Sequence, residues 1–107
     1  MPFLPLLALL ASLALCAPVQ ARPVTATVYH SWYNGRATYC GNTYEHWGFS
    51  AAHPFLPCGT RVRVSRQGRS VTVPITDRCD CSIDLSAGAA YRLGVPLDGT
   101  ATVSISY

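Results

Sequence analysis

Hydrophobic and polar residues alternate over several short segments of the chain. In "RVRVSRQGRSVTVPI" (61–75), Val62 and Val64, then Val71, Val73 and Ile75, occupy every second position, with Gln67-Gly68 between the two runs. Period-two alternation broken by a two-residue turn signal predicts a β-hairpin. Pro74 falls on the polar face of the second arm, which predicts an edge or bulge where no ladder N–H is needed. "TATVSISY" (100–107) predicts a strand with Ala101, Val103, Ile105 and Tyr107 on one face, and "VTATVYHSWY" (24–33) predicts another. Only one segment reads as a helix. Ser86 is a suitable N-cap, Ala87 to Leu93 are mostly good helix formers, Gly94 can end the helix and Pro96 prevents its continuation. The stretch 35–59 is rich in Gly, Asn, Pro and aromatic residues and predicts ordered loops with short strands. Many short strands with a short helix or two predict a mainly β fold, a small closed barrel.

The N-terminal pattern is different. Residues 1–21, MPFLPLLALLASLALCAPVQA, are almost continuously apolar and uncharged, and Val19-Gln20-Ala21 offers small residues at the offsets signal peptidase requires. The expectation is a secretory signal over 1–21 followed by one domain over 22–107, with no membrane contact once the signal is cleaved. A lipid anchor through Cys16 is the weaker alternative, because Leu15 is large for the position before a lipidated cysteine. Export places the protein outside the cytoplasm, secreted or periplasmic.

Cysteine and charge content narrow the chemistry. Four cysteines follow the signal (Cys40, Cys58, Cys79 and Cys81), and in a short exported domain they read as two disulfides. Cys79 and Cys81 lack the spacing of zinc knuckle ligands, so no metal site is expected. All eight basic residues are Arg, and the net charge is +3. Arg61, Arg63, Arg66 and Arg69 form a loose cluster, enough for modest attraction to an anionic polymer but not a nucleic-acid footprint. Three of the five acidic residues fall within "ITDRCDCSIDLS" (75–86): Asp77, Asp80 and Asp84. Asp77 continues the alternation of Val71, Val73 and Ile75 and is expected to project as they do. Asp84 precedes the helix and is expected to serve local capping, and Asp80 to be loop surface.

Three stretches together carry a resemblance: "SAAHPFLPCGTRVRV" (50–64), "GRSVTVPITDRCDCSIDLS" (68–86) and "AAYRLG" (89–94), preceded by "HSWYNGRATY". Their order resembles the rare lipoprotein A family, whose six-stranded double-psi β-barrel is shared with barwin and the expansin N-terminal domain. The resemblance implies a lytic transglycosylase that cleaves the β-1,4 bond between N-acetylmuramic acid and N-acetylglucosamine, forming 1,6-anhydro ends, with peptidoglycan glycan strands as partner and no cofactor. It implies Asp77 as general acid/base and His53, in "AAH", as its assistant. Aligned without gaps from His53, the family's glutamate falls at Asn42 and its aspartate at Glu45, so one carboxylate is missing; both residues are expected to line the cleft. Tyr33, Tyr39, Tyr44 and Trp47 could stack on sugar rings, with core packing the competing role of each. Barwin-like relatives imply the pairing Cys40–Cys79, leaving Cys58–Cys81; a Cys79–Cys81 bond closes a very small ring and ranks last.

Transglycosylation needs fewer catalytic groups than hydrolysis. The C6 hydroxyl of the muramic acid attacks the anomeric carbon, so one residue can protonate the leaving oxygen and then take the C6 proton. Two other function classes suit the same residues. One is a non-catalytic barwin- or expansin-like polysaccharide-binding module; the other is a secreted protease-inhibitor-like binding protein. In each case the expected state is a monomer.

Overall fold

The computed structural model describes residues 20–107; the predicted signal and Cys16 fall largely or wholly outside them. Six strands close into a barrel in the order β1-β5-β2-β4-β3-β6. They are β1 (Arg22–Val28), β2 (Ala51–Ala52), β3 (Arg61–Arg66), β4 (Arg69–Asp77), β5 (Ile83–Leu85) and β6 (Ala101–Ser106). The mainly β barrel expected from the alternation is therefore what forms, with one α-helix among the described residues, α1 (Ala87–Leu93), and a 3-10 turn over Ser31–Tyr33. Among the described residues no helix is long and apolar enough to cross a membrane.

The alternating residues do what their period dictates. Val62, Val64, Val73, Ile75, Val103 and Ile105 point inward and are buried. They pack with Ala26, Ala51, Ile83, Leu85 and Leu93 into one core. The β3–β4 hairpin turns at Gln67-Gly68, both with positive φ (48° and 78°), as a two-residue type I′ turn requires. Pro74 pairs with Arg61 at the end of the β3 ladder, next to the point where β4 takes β2 as its partner. Ser86 caps α1 by accepting a hydrogen bond from the Ala89 N–H, and Gly94 ends it in the left-handed conformation (φ 70°). The strand predicted over 24–33 ends earlier, at Val28, and its last residues turn into the 3-10 segment, where the His30 ring accepts from the Trp32 N–H.

The disulfides depart from expectation. The structure joins Cys40 to Cys58 and Cys79 to Cys81, with Cα separations of 5.8 Å and 5.2 Å, in place of Cys40–Cys79 and Cys58–Cys81. The cause is strand register. The Cys40 N–H donates to the Thr76 carbonyl and the Gly59 N–H to the Ile75 carbonyl, so two distant loops dock on consecutive residues of β4. That brings Cys40 beside Cys58 and leaves Cys79 to its neighbour, within the Cα range a disulfide allows. Loop-closure entropy makes the longer link the more stabilising. Replacing Cys40 and Cys58 by serine is expected to cost about 3 kcal/mol in chemical denaturation, and replacing Cys79 and Cys81 about half as much.

Candidate functional site

A bulge in β4 creates the site. Ala51 pairs with Ile75, but the next residue, Ala52, pairs with Asp77, so Thr76 is the extra residue. In an unbroken strand Ile75 and Asp77 would share a face. With the bulge, Ile75 enters the main core while Asp77 turns outward beside Ala52, correcting the expectation that it projects with Val71, Val73 and Ile75. Ala52 also pairs with Asp84 of β5, and Asp84 with Thr27 of β1. Thr27, Asp84, Ala52 and Asp77 thus form one rung across four adjacent strands. Neighbouring strands lie about 4.8 Å apart, which puts the two aspartate Cα atoms about 10 Å apart with only a methyl side chain between them.

Both carboxylates line an open groove of roughly 360 Å³, together with Thr27, Tyr29, Tyr33 and Arg78. Asp77 Oδ2 accepts from the Tyr29 hydroxyl (2.9 Å), and its Oδ1 accepts from the main-chain N–H groups of Tyr39 and Arg78 (2.9 Å each). Asp84 Oδ1 accepts from the Thr27 hydroxyl at 2.9 Å. Burial pushes the Asp84 carboxyl above the usual range and the charge of Asp77 adds to the rise, while the Thr27 hydrogen bond opposes it. The Tyr29 hydroxyl is pushed up by burial, then by its bond to Asp77, and so remains a donor. Asp84 is not the helix cap expected of it; Ser86 holds that role, and Asp84 faces the groove.

His53 is buried beside this rung. Its main-chain N–H donates to the Asp77 carbonyl (3.1 Å). Its Nδ1 accepts from the N–H groups of Phe55 (3.3 Å) and Leu56 (3.2 Å), so the ring proton sits on Nε2. Burial, then the Arg78 charge, lowers its pKa. A depressed histidine stabilises the fold fully above its usual pKa of about 6.5, and that contribution is lost as pH falls below it. The ring is thus committed to a tight turn. His53→Asn, whose side-chain oxygen can accept the same two bonds, is expected to retain most of the stability that His53→Ala loses, roughly 2 kcal/mol in thermal or chemical denaturation.

The remaining predicted residues divide. Tyr33 lines the groove, edge-on to Tyr29 (5.9 Å), and is about half exposed. Trp47 is exposed. Tyr44 is not a sugar platform: it is buried, stacks on Tyr29 at 4.3 Å and bonds His46 Nδ1 through its hydroxyl, whose pKa burial pushes up to about 12. Asn42 and Glu45 line a separate depression with Phe49, Pro74 and Thr76, not the groove of Asp77 as expected. Sequence reasoning misses Thr27, in β1, and Tyr29, just past its end, although their spacing of two residues is the signal that could have placed both on the groove face. Among the described residues, no three His, Cys, Asp or Glu side chains gather as a metal site would require.

Residues 25–105 match the family model described as lytic transglycolase. An uncharacterized protein of Synechocystis is 48% identical over 84 residues, covering 77% of this chain and 93% of that protein. The endolytic peptidoglycan transglycosylase RlpA of Pseudomonas aeruginosa is 42% identical over 87 residues, which cover 76% of this chain but only 26% of that longer protein. RlpA of Neisseria meningitidis is 40% identical over 96 residues, 80% of this chain and 40% of its own length. Among solved structures, the Streptomyces papain inhibitor superposes with a TM-score of 0.67 at 29% identity, covering 85% of this chain and 97% of the inhibitor.

Proposed function

The chain belongs to the lytic transglycolase family of double-psi β-barrels, and from that membership we propose that it cleaves the β-1,4 bond between N-acetylmuramic acid and N-acetylglucosamine in peptidoglycan without using water. The observation that carries this reading is the single rung holding Asp84 and Asp77 over Ala52 at the floor of one groove. In place of Asp77, which the resemblance implies as the acid/base, Asp84, whose partly buried carboxyl is shifted toward the protonated form, donates its proton to the oxygen leaving with N-acetylglucosamine as the bond to C1 breaks. Asp77, oriented by Tyr29 and two main-chain N–H groups, supplies negative charge toward the positive charge that develops at C1. The C6 hydroxyl then bonds to C1, and its proton returns to the Asp84 carboxylate. Ring closure within one sugar supplies the effective concentration that a bound water would otherwise need. His53 is a positioning residue in this scheme, tying its loop to the Asp77 main chain. The place of action is the cell envelope, where the substrate lies. The test is digestion of purified sacculi: anhydro-muropeptides should appear in the mass spectrum, and their absence at high enzyme concentration would refute the assignment.

The likeness to the papain inhibitor favours a second reading, a protein-binding barrel. Stoichiometric inhibition of papain, with no cleavage of sacculi, would establish it in place of the first.

A further inference from the structure

We propose that the arginine-lined tip of the β3–β4 hairpin is a second contact surface, which holds the carboxylates of peptide-bearing peptidoglycan while the groove acts on bare sugar. This rests on the reading of peptidoglycan as the substrate. Residues 59–76 contain four arginines and no Asp or Glu. The register sets Arg66 directly opposite Arg69, a like-charge pair that weakens a hairpin. The Nη1 atoms of both converge on one point, each 3.3 Å from where a Cβ on Gly94 would lie. Arg66 has a structural role, since its Nη1 donates to the Leu93 (3.2 Å) and Gly94 (3.0 Å) carbonyls at the end of α1. Arg63 and Arg69 have no comparable duty: both are exposed, and Arg63 reaches only the Ser70 hydroxyl at 3.5 Å.

These side chains surround a depression of roughly 260 Å³ together with Ser65, Ser70 and Ser104. Guanidinium forks combined with hydroxyl groups suit oxyanions, carboxylates among them. The surface stands at the far end of β4 from Asp77, eight residues or about 26 Å along the strand. Charge is thus divided within the barrel. The groove sets its two aspartates beside one arginine, Arg78, whereas the hairpin tip carries arginines without any acid and attracts anionic stem peptides. The peptide carboxylates are the fixed anions of such a wall, and an arginine surface facing away from the reactive acids can hold them without blocking the sugar.

The experiment compares binding of the purified protein to insoluble peptidoglycan bearing intact stem peptides with binding to the same material stripped by an amidase. The variant is Arg63→Gln with Arg69→Gln; Arg66 is left alone because it secures the helix end. Loss of the two cationic contacts should weaken binding to peptide-bearing material about tenfold. Binding and cleavage of stripped glycan should stay at the wild-type level. Added salt should erase the difference between the two proteins, and Arg63→Lys with Arg69→Lys should restore part of the binding. Equal binding by wild type and variant, or an equal loss on both materials, would overturn the proposal. So would preferential capture by polyphosphate or by vesicles containing acidic lipid. If the wild type shows the peptide-dependent binding but cleaves neither material, the surface stands and the transglycosylase assignment falls.

Discussion

Asp84→Asn should slow strand cleavage by about 10²- to 10⁴-fold, the usual worth of a positioned general acid, and at the same time raise the melting temperature. Both effects come from one cause. The wild-type carboxyl is held above its normal pKa mainly by burial, so its ionised form is disfavoured in the folded state. Below the ordinary carboxylate range the acid is protonated whether the chain is folded or not, and asparagine confers no advantage. As pH rises from that range through the raised folded-state pKa, the wild type loses stability and the amide does not. The gap in melting temperature between Asp84→Asn and wild type should therefore widen from pH 3 to pH 7. Wild-type activity should fall as pH climbs through the same raised pKa, because the proton donor is lost. The amide oxygen can still accept from the Thr27 hydroxyl, so local structure is retained. Asp77→Asn should lose activity comparably, without the same gain in stability. A variant of residue 84 with full activity, or with a melting-temperature gap independent of pH, would remove Asp84 from the proton-transfer role.

Gly88→Ala should produce the largest loss of stability among single substitutions considered, about 3 kcal/mol or more. Helix propensity alone predicts the reverse, since alanine exceeds glycine by about 1 kcal/mol within a helix. Packing decides the sign. A Cβ at residue 88 would fall 2.5 Å from the Gly48 carbonyl oxygen and closer still to that of Trp47. Both are main-chain atoms that no side-chain rotation can move. The Gly88 N–H donates to the His46 carbonyl, and the Ser86 hydroxyl donates to that of Gly48, so the loop is fastened to the helix at the point of collision. Overpacking that needs backbone movement lies at or above the upper end of the usual 1–3 kcal/mol range. Urea denaturation of the variant measures it; a stability equal to or above wild type would mean that loop 46–48 does not lie against α1.

What could be read from the sequence was what local chemistry determines. The Gln67-Gly68 turn, the Ser86 cap and the Gly94 stop each depend on a few adjacent residues, and each forms as expected. The inward set of valines and isoleucines follows from period-two alternation and the closure of a barrel. Features that depend on register between distant strands were not legible. Pro74 in "VPITDR" signals an edge or bulge, but nothing there says that Thr76 is the extra residue, and that placement is what redirects Asp77. Asp84 sits in the groove only because β5 is flanked by β1 and β2, and no local pattern separates this from a capping aspartate. The disulfide pairing follows from two loops docking on Ile75 and Thr76 and differs from the relatives' pattern for that reason. Aromatic content gave candidates but not exposure: Tyr33 and Trp47 are open to solvent, while Tyr44 is packed against Tyr29.

The most direct measurement is digestion of amidase-stripped glycan strands in heavy-oxygen water, with the new chain ends read by mass spectrometry. Proton transfer by Asp84 with attack by the sugar's own C6 hydroxyl predicts 1,6-anhydro ends that carry no heavy oxygen and disappear with Asp84→Asn. Heavy oxygen incorporated at new reducing ends by the wild-type protein would contradict it.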